Sequence, residues 1–101
     1  MKEYEFQDQV IQFAAMRQWH VMHQRPARVI RNGRESWRTT IQGHSGFPDL
    51  VLSRNGVVIL AELKTEKGKL SREQESWRDS LGTFWRLWRP SDWPAIEKEL
   101  M

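Results

Sequence analysis

The stretch FPDLVLSRNGVVILAELKTEKG, residues 47–68, constrains the fold more than any other part of the chain. Two apolar runs flank an Asn-Gly pair, the strongest short-range signal for a hairpin closed by a two-residue type I′ loop. With Asn55-Gly56 as that loop, Arg54 pairs with Val57 and every later pair follows by stepping outward. Asp49 then stands opposite Glu62. Directly opposed residues share one face of a sheet, with Cβ atoms about 4.5–5.5 Å apart. Lys64 lies two residues beyond Glu62, on the same face and roughly 6–7 Å along the strand. The opposite face takes Leu50, Leu52, Ile59, Ala61 and Leu63, which makes a credible core. A bulge would shift the pairing by one residue.

Two carboxylates set against each other repel, and one is normally pushed toward protonation. A hard divalent cation removes that conflict. Mg²⁺ binds through one or two carboxylates and keeps positions for water and a substrate phosphate. Beside such an ion, Lys64 could orient or deprotonate an attacking water, or stabilise charge on the phosphorane. The plainer alternative is a solvated strand face, with a Glu62–Lys64 surface pair and Asp49 closing a loop. The opposed geometry, the adjacent lysine and a basic segment upstream favour the metal site.

That basic segment holds Arg17, Arg25, Arg28, Arg31, Arg34 and Arg38, opposed only by Glu35. The formal net charge of +3 conceals this asymmetry. Arginine presents a planar fork of donors to phosphate, so the segment suggests a polyanion partner; a solvated loop is the other reading. His20 and His23 lie in the same region and are weak metal-ligand candidates.

The 101 residues suffice for a single domain over 1–101, and small domains often dimerise. No apolar run is long enough to span a bilayer, and no secretory signal pattern is present. The absence of Cys excludes disulfides and thiolate metal sites and is compatible with a reducing compartment, so a cytoplasmic location is expected. Residues 4–19 place Phe6, Val10, Phe13, Ala14 and Arg17 on one side at helical spacing, with Glu5 and Gln9 on a neighbouring stripe and Pro26 ending any continuation. The segment ARVIRNGRESWRTTIQ could hold a strand or a second Asn-Gly hairpin. Ser71 with Gln74 fits a capping box, Trp77 and Leu81 give that helix a buried stripe, and Gly82 supplies its stop. TFWRLWRP suits a strand that Pro90 terminates. A short last helix follows, with Ser91 or Asp92 as cap and Pro94 in the first turn. The expected order is helix, two or three strands, helix, strand, helix: a mixed α/β sandwich on a small sheet.

Pro48-Asp49 followed by Glu62-Leu63-Lys64 resembles the PD-(D/E)XK nuclease signature. The helix beginning EFQDQV, the SGFPDLVL segment, LSREQESW and a terminal WRP-x-D segment narrow the resemblance to the VRR-NUC family, over nearly the whole chain and as a freestanding minimal domain. The resemblance implies a restriction-endonuclease-like αβββαβ core and phosphodiester hydrolysis dependent on Mg²⁺, for which Mn²⁺ can substitute. It implies that Asp49, Glu62 and the backbone carbonyl of Leu63 hold the metal and that Lys64 is the catalytic lysine. Glu5 matches the acid of the family's first helix, with Glu3 close by, and Gln74 matches a glutamine near the active site as well as a capping-box partner.

Stand-alone members of the family resemble archaeal Holliday-junction resolvases, which implies a homodimer acting on four-way DNA junctions. Trp85 and Trp88 point to opposite faces of the last strand and could contribute an interface, or simply core. Trp19 and Trp37 could stack on bases, or pack within the fold. The expected function is a metal-dependent, structure-selective DNA endonuclease in which the arginines contact phosphates. The competing readings are a nuclease for flap, nicked or duplex DNA, and a non-catalytic DNA-binding module.

Overall fold

In the computed structural model, residues 1–23, 27–31, 33–38 and 42–101 are described, with the backbone alone for 27–31 and 34–38. Helix α1 (Glu3–Met16) leads into strand β1 (His20–His23). A hairpin follows, β2 (Ala27–Arg31) and β3 (Arg34–Arg38). Then come β4 (Leu50–Arg54), β5 (Val57–Leu63), α2 (Arg72–Leu81), β6 (Trp85–Trp88) and α3 (Trp93–Leu100). The main sheet has the order β1-β4-β5-β6, antiparallel except for the β5–β6 pair. That parallel pair requires a crossover, which α2 provides. Within this sheet α1, β1, β4, β5, α2 and β6 form the expected αβββαβ core.

The β4–β5 hairpin keeps the register read from its turn. Arg54 pairs with Val57 and Leu50 with Ala61. Asn55 and Gly56 take φ of 50° and 81°, the left-handed pair a type I′ loop demands. Leu50, Leu52, Ile59, Ala61 and Leu63 are all buried, packed against Phe6, Val10 and Ala14 of α1 and Ile96 and Leu100 of α3. Each of these side chains larger than alanine contributes about 1.5–3 kcal/mol by leaving water. Trp19 joins this core and donates its indole N–H to the Leu100 carbonyl at 2.9 Å, so packing inside the fold is its role. Arg54 lies 4.4 Å over the Trp19 ring and donates to the carbonyls of Arg17, Leu100 and Met101, tying the ends of α1 and α3 together.

Several expectations are corrected. Five strands, not two or three, precede α2, because β1 and the β2–β3 hairpin both form. The four-residue HVMH has too little alternation to announce β1, which is held by pairing with β4. The open segment resolves into the second Asn-Gly hairpin, Arg31 opposite Arg34, as a separate two-stranded sheet. Helix α1 stops at Met16 rather than running to residue 19. Gln18 adopts φ 67°, and the N–H groups of Gln18 and Trp19 return to the carbonyls of Ala15 and Ala14, a Schellman closure that turns Trp19 into the core. Pro26 lies outside the described residues. Trp77 and Leu81 are half-buried, not buried, because α2 packs against β6 and the turn before it rather than across the sheet centre. The α3 cap position is Asp92, but its carboxylate accepts the Arg89 N–H instead of capping the helix. Among the described residues no helix is long and apolar enough to cross a membrane.

Candidate active site

The β4–β5 ladder ends at Leu50–Ala61, one step short of the carboxylates. There the Asp49 side chain replaces the missing backbone partner: its Oδ2 accepts the Leu63 N–H at 2.8 Å. Glu62 sits beside it on β5 and is only 2% exposed, the one buried charged side chain among the described residues. Its Oε2 accepts the Gln74 amide at 3.1 Å and lies 3.9 Å from Lys64 Nζ. Its Oε1 is buried with no hydrogen-bond partner. Burial is the first cause that raises the Glu62 carboxyl from 4.5 to about 8. The neighbouring Asp49 carboxyl pushes the same way, Lys64 pulls the other way, and Glu3 adds the smallest upward push.

Gln74 performs both tasks the sequence left open. Ser71 Oγ accepts the Gln74 N–H at 3.2 Å, and Gln74 Oε1 accepts the Ser71 N–H at 2.9 Å. The remaining amide N–H of the same side chain reaches Glu62. An amide carries both an acceptor and two donors, so a cap and a site contact do not compete. The α2 start is therefore locked to β5.

The same helix holds the loop that delivers Asp49. Trp77 donates its indole N–H to the Ser45 carbonyl at 3.0 Å and meets the Phe47 ring edge-to-face at 4.9 Å. Gly46 allows this approach. It adopts φ 89°, and a Cβ there would fall 2.6 Å from the Glu73 carbonyl carbon and 2.8 Å from the Gln74 nitrogen. Gly46→Ala combines a strained left-handed alanine with a backbone clash, and is expected to destabilise the protein by about 2–4 kcal/mol. Chemical denaturation checks this, and an unchanged midpoint would show that the loop does not bear on α2 as described.

On the first helix, Glu5 turns its carboxylate back to the Lys2 N–H at 3.1 Å, serving its own helix start. The charge that reaches Glu62 is that of Glu3. Helical spacing carried the signal: Glu3 shares a stripe with buried Phe6 and Val10, and Glu5 does not. Arg17 is also apart from the carboxylates, at the C-terminus of α1 beside Arg54 and the hairpin turn, the far end of β4 and β5. Arg28 and Arg31 lie on β2 and Arg34 and Arg38 on β3; Arg25 lies outside the described residues. The segment carrying them leaves β1 after His23, the partner of Leu50, and returns at Asp49. Both its attachment points thus flank the carboxylate end of the sheet. The sequence reading missed Arg89, Glu66 and Ser91, which grip the loop after Lys64.

Among the described residues no three His, Cys, Asp or Glu side chains cluster into a self-sufficient metal cage. What the site offers is oxygen: two adjoining carboxylates, one with an orphaned buried atom, at the end of a strand. That donor set fits Mg²⁺ or Mn²⁺, which take few protein oxygens and complete their shell with water and phosphate, better than it fits zinc. The paired carboxylates and nearby lysine, joined to an αβββαβ core, agree with what comparison with known proteins shows. No curated protein and no solved structure matches the chain, whereas the family model for the VRR-NUC domain matches residues 2–84, leaving β6 and α3 beyond its end. With that match over most of its length, the chain belongs to the VRR-NUC family of the PD-(D/E)XK superfamily, and is a nuclease domain whose substrate is DNA.

Proposed function

We propose that this nuclease is a Mg²⁺-dependent endonuclease that cuts branched DNA, four-way junctions foremost, as a homodimer. The orphaned, buried Oε1 of Glu62 beside Asp49 carries the reading, because a buried carboxylate oxygen without a donor is costly unless a cation completes it. Asp49, Glu62 and the Leu63 carbonyl would hold the ion, Mn²⁺ serving in its place. Bound there, the metal would polarise the scissile phosphate and lower the pKa of a coordinated water.

The remaining work belongs to the chain. Asp49 is held to the Leu63 N–H, so the two ligand-bearing strand ends move as one. Gln74 fixes Oε2 of Glu62. Lys64 brings a positive charge to within 3.9 Å of that oxygen, where it can orient the attacking water and offset charge building on the phosphate oxygens. Glu3, rather than Glu5, would be the first-helix acid of the site.

Arg28, Arg31, Arg34 and Arg38, with Arg25, would grip phosphates near the cut, since their segment springs from the active-site end of the sheet. Dimerisation is supported by the sheet face turned away from α1 and α3. Met22, Val51, Leu60 and Trp85 form one row across all four strands, with Met22 exposed and Trp85 half-buried. Phe84 beside them is 53% exposed. A two-fold dimer places two sites on opposing strands of a junction.

The test is cleavage of a labelled four-way junction beside duplex, flap and single-strand substrates, with Mg²⁺, Mn²⁺ or EDTA. Paired symmetric cuts by the wild type, lost with EDTA and in Glu62→Ala, are expected, with a dimer mass by sedimentation. Metal-dependent cutting spread over the other substrates would overturn the junction preference. Tight binding without cutting anywhere would make the chain a binding module. In the same series, replacing the four hairpin arginines should weaken binding and flatten its salt dependence.

A further inference from the structure

The WRP-x-D segment, residues 88–92, plays no part in the chemistry derived so far, yet four of its five residues bind or brace the chain around Lys64. The Lys64 N–H donates to the Trp88 carbonyl at 3.1 Å, the last backbone tie before the chain leaves β5. Arg89 Nη1 then donates to the carbonyls of Thr65 and Glu66, at 2.5 and 3.3 Å. The Glu66 carboxylate accepts the Ser91 N–H at 2.6 Å and the Ser91 hydroxyl at 2.9 Å. Asp92 in turn accepts the Arg89 N–H at 2.9 Å, holding the corner itself.

On the other side of the loop, the Gly68 N–H closes a turn onto the Thr65 carbonyl at 3.2 Å. A Cβ at Gly68 would stand 3.3 Å from Lys64 Cδ and 3.4 Å from its Cβ. The lysine stem is thus walled by the loop that the corner grips. A lysine has a flexible four-carbon stem, so its ammonium is placed only as well as its backbone and walls are held.

We propose that the 88–92 corner is a positioning device for Lys64, with Arg89 as its principal positioning residue and Glu66–Ser91 as a second latch. This rests on the reading of Lys64 as the lysine of the reaction. Arg89 acts through the loop and not on the substrate: its Nη1 is committed to two backbone carbonyls. The 88–92 corner lies beyond residue 84, where the family match ends, so the C-terminal part of the chain completes the site.

Arg89→Ala, Arg89→Lys and Glu66→Ala, each in the full chain, test the proposal by three measurements. Amide hydrogen exchange without metal or DNA reads the clamp itself. In Arg89→Ala the Lys64 and Gly68 amides should exchange at least about tenfold faster, and Glu66→Ala should move them the same way by less. Kinetics on cleaved DNA should show kcat down about 10–100-fold with KM little changed, the cost of a misplaced group. Arg89→Lys, which can still reach one carbonyl, should recover part of kcat. DNA affinity in EDTA should keep its salt slope.

Unchanged exchange at both amides would overturn the clamp. Unaltered kcat with weaker binding and a flatter salt slope would make Arg89 a phosphate contact instead. Should Arg89→Ala fail to fold, Glu66→Ala and Ser91→Ala remove exposed contacts only and carry the same exchange test. If the wild type cuts no DNA, the functional reading falls while the exchange result still decides the clamp.

Discussion

Lys64→Ala is expected to lower DNA cleavage by about 10²–10³-fold, the usual loss when one preorganised charge is taken from a transition state. The fold should not register the change. Lys64 is 17% exposed, its contact to Glu62 is 3.9 Å long, and its backbone tie to Trp88 survives in alanine. DNA affinity, measured in EDTA, should stay within about twofold, because one lysine beside a carboxylate neutralises little phosphate charge. Lys64→Arg should not restore the rate, since a planar guanidinium cannot occupy the place of a compact ammonium. Single-turnover cleavage with a matched thermal melt decides the matter. Turnover within about threefold of wild type would mean that the reaction runs elsewhere.

The metal-free protein is expected to lose stability as pH rises, and Glu62 is the cause. Its folded carboxyl titrates at about 8 against 4.5 for the free side chain, so the native state holds a proton that the unfolded chain releases. The contribution is fully present below about pH 4.5 and disappears as pH climbs through 8. One pKa unit is worth about 1.4 kcal/mol, so the whole effect is on the order of a few kcal/mol, or on the order of 20 °C in Tm. Asp49, Lys64 and Glu3 are the charges that bear on it. Glu62→Gln keeps the shape without the titration, so the gap between wild type and variant should open as pH rises from about 4.5 and stop changing above about 8. Added Mg²⁺ should reverse the trend, since it selects the ionised carboxylate that burial disfavours. Melting temperatures from pH 4 to 9, in EDTA and in Mg²⁺, test this; parallel wild-type and Glu62→Gln curves in EDTA would refute it.

The site was legible in the sequence to unequal depths. Asn55-Gly56 sets a register locally, and a strand has a period of two, so the apolar set Leu50, Leu52, Ile59, Ala61 and Leu63 could face the core in one register only. Asp49 beside Glu62 follows from that alone. The Ser71–Gln74 box is equally local, three residues apart, and forms as read. Strand β1 was not legible, because four residues with two apolar side chains carry no period; the β4 edge supplies its order.

Contacts across the chain needed the tertiary structure. Gln74 meets Glu62 across 12 residues, Arg89 meets Thr65 across 24, and Ser91 meets Glu66 across 25. Such pairs leave no periodic trace, since each depends on how a helix or corner is laid against the sheet end. The first-helix acid shows the division most clearly. Glu3 and Glu5 are both first-turn acids; helical phase puts Glu3 on the stripe of Phe6 and Val10, and the docking of that stripe lets its charge bear on Glu62 while Glu5 bonds its own helix end. By itself the sequence determined the hairpin, its register and the pair of opposed carboxylates, because a tight turn and a two-residue period act over short range. The tertiary structure decided which side chains surround that pair, because those positions follow from docking helices and loops onto the sheet.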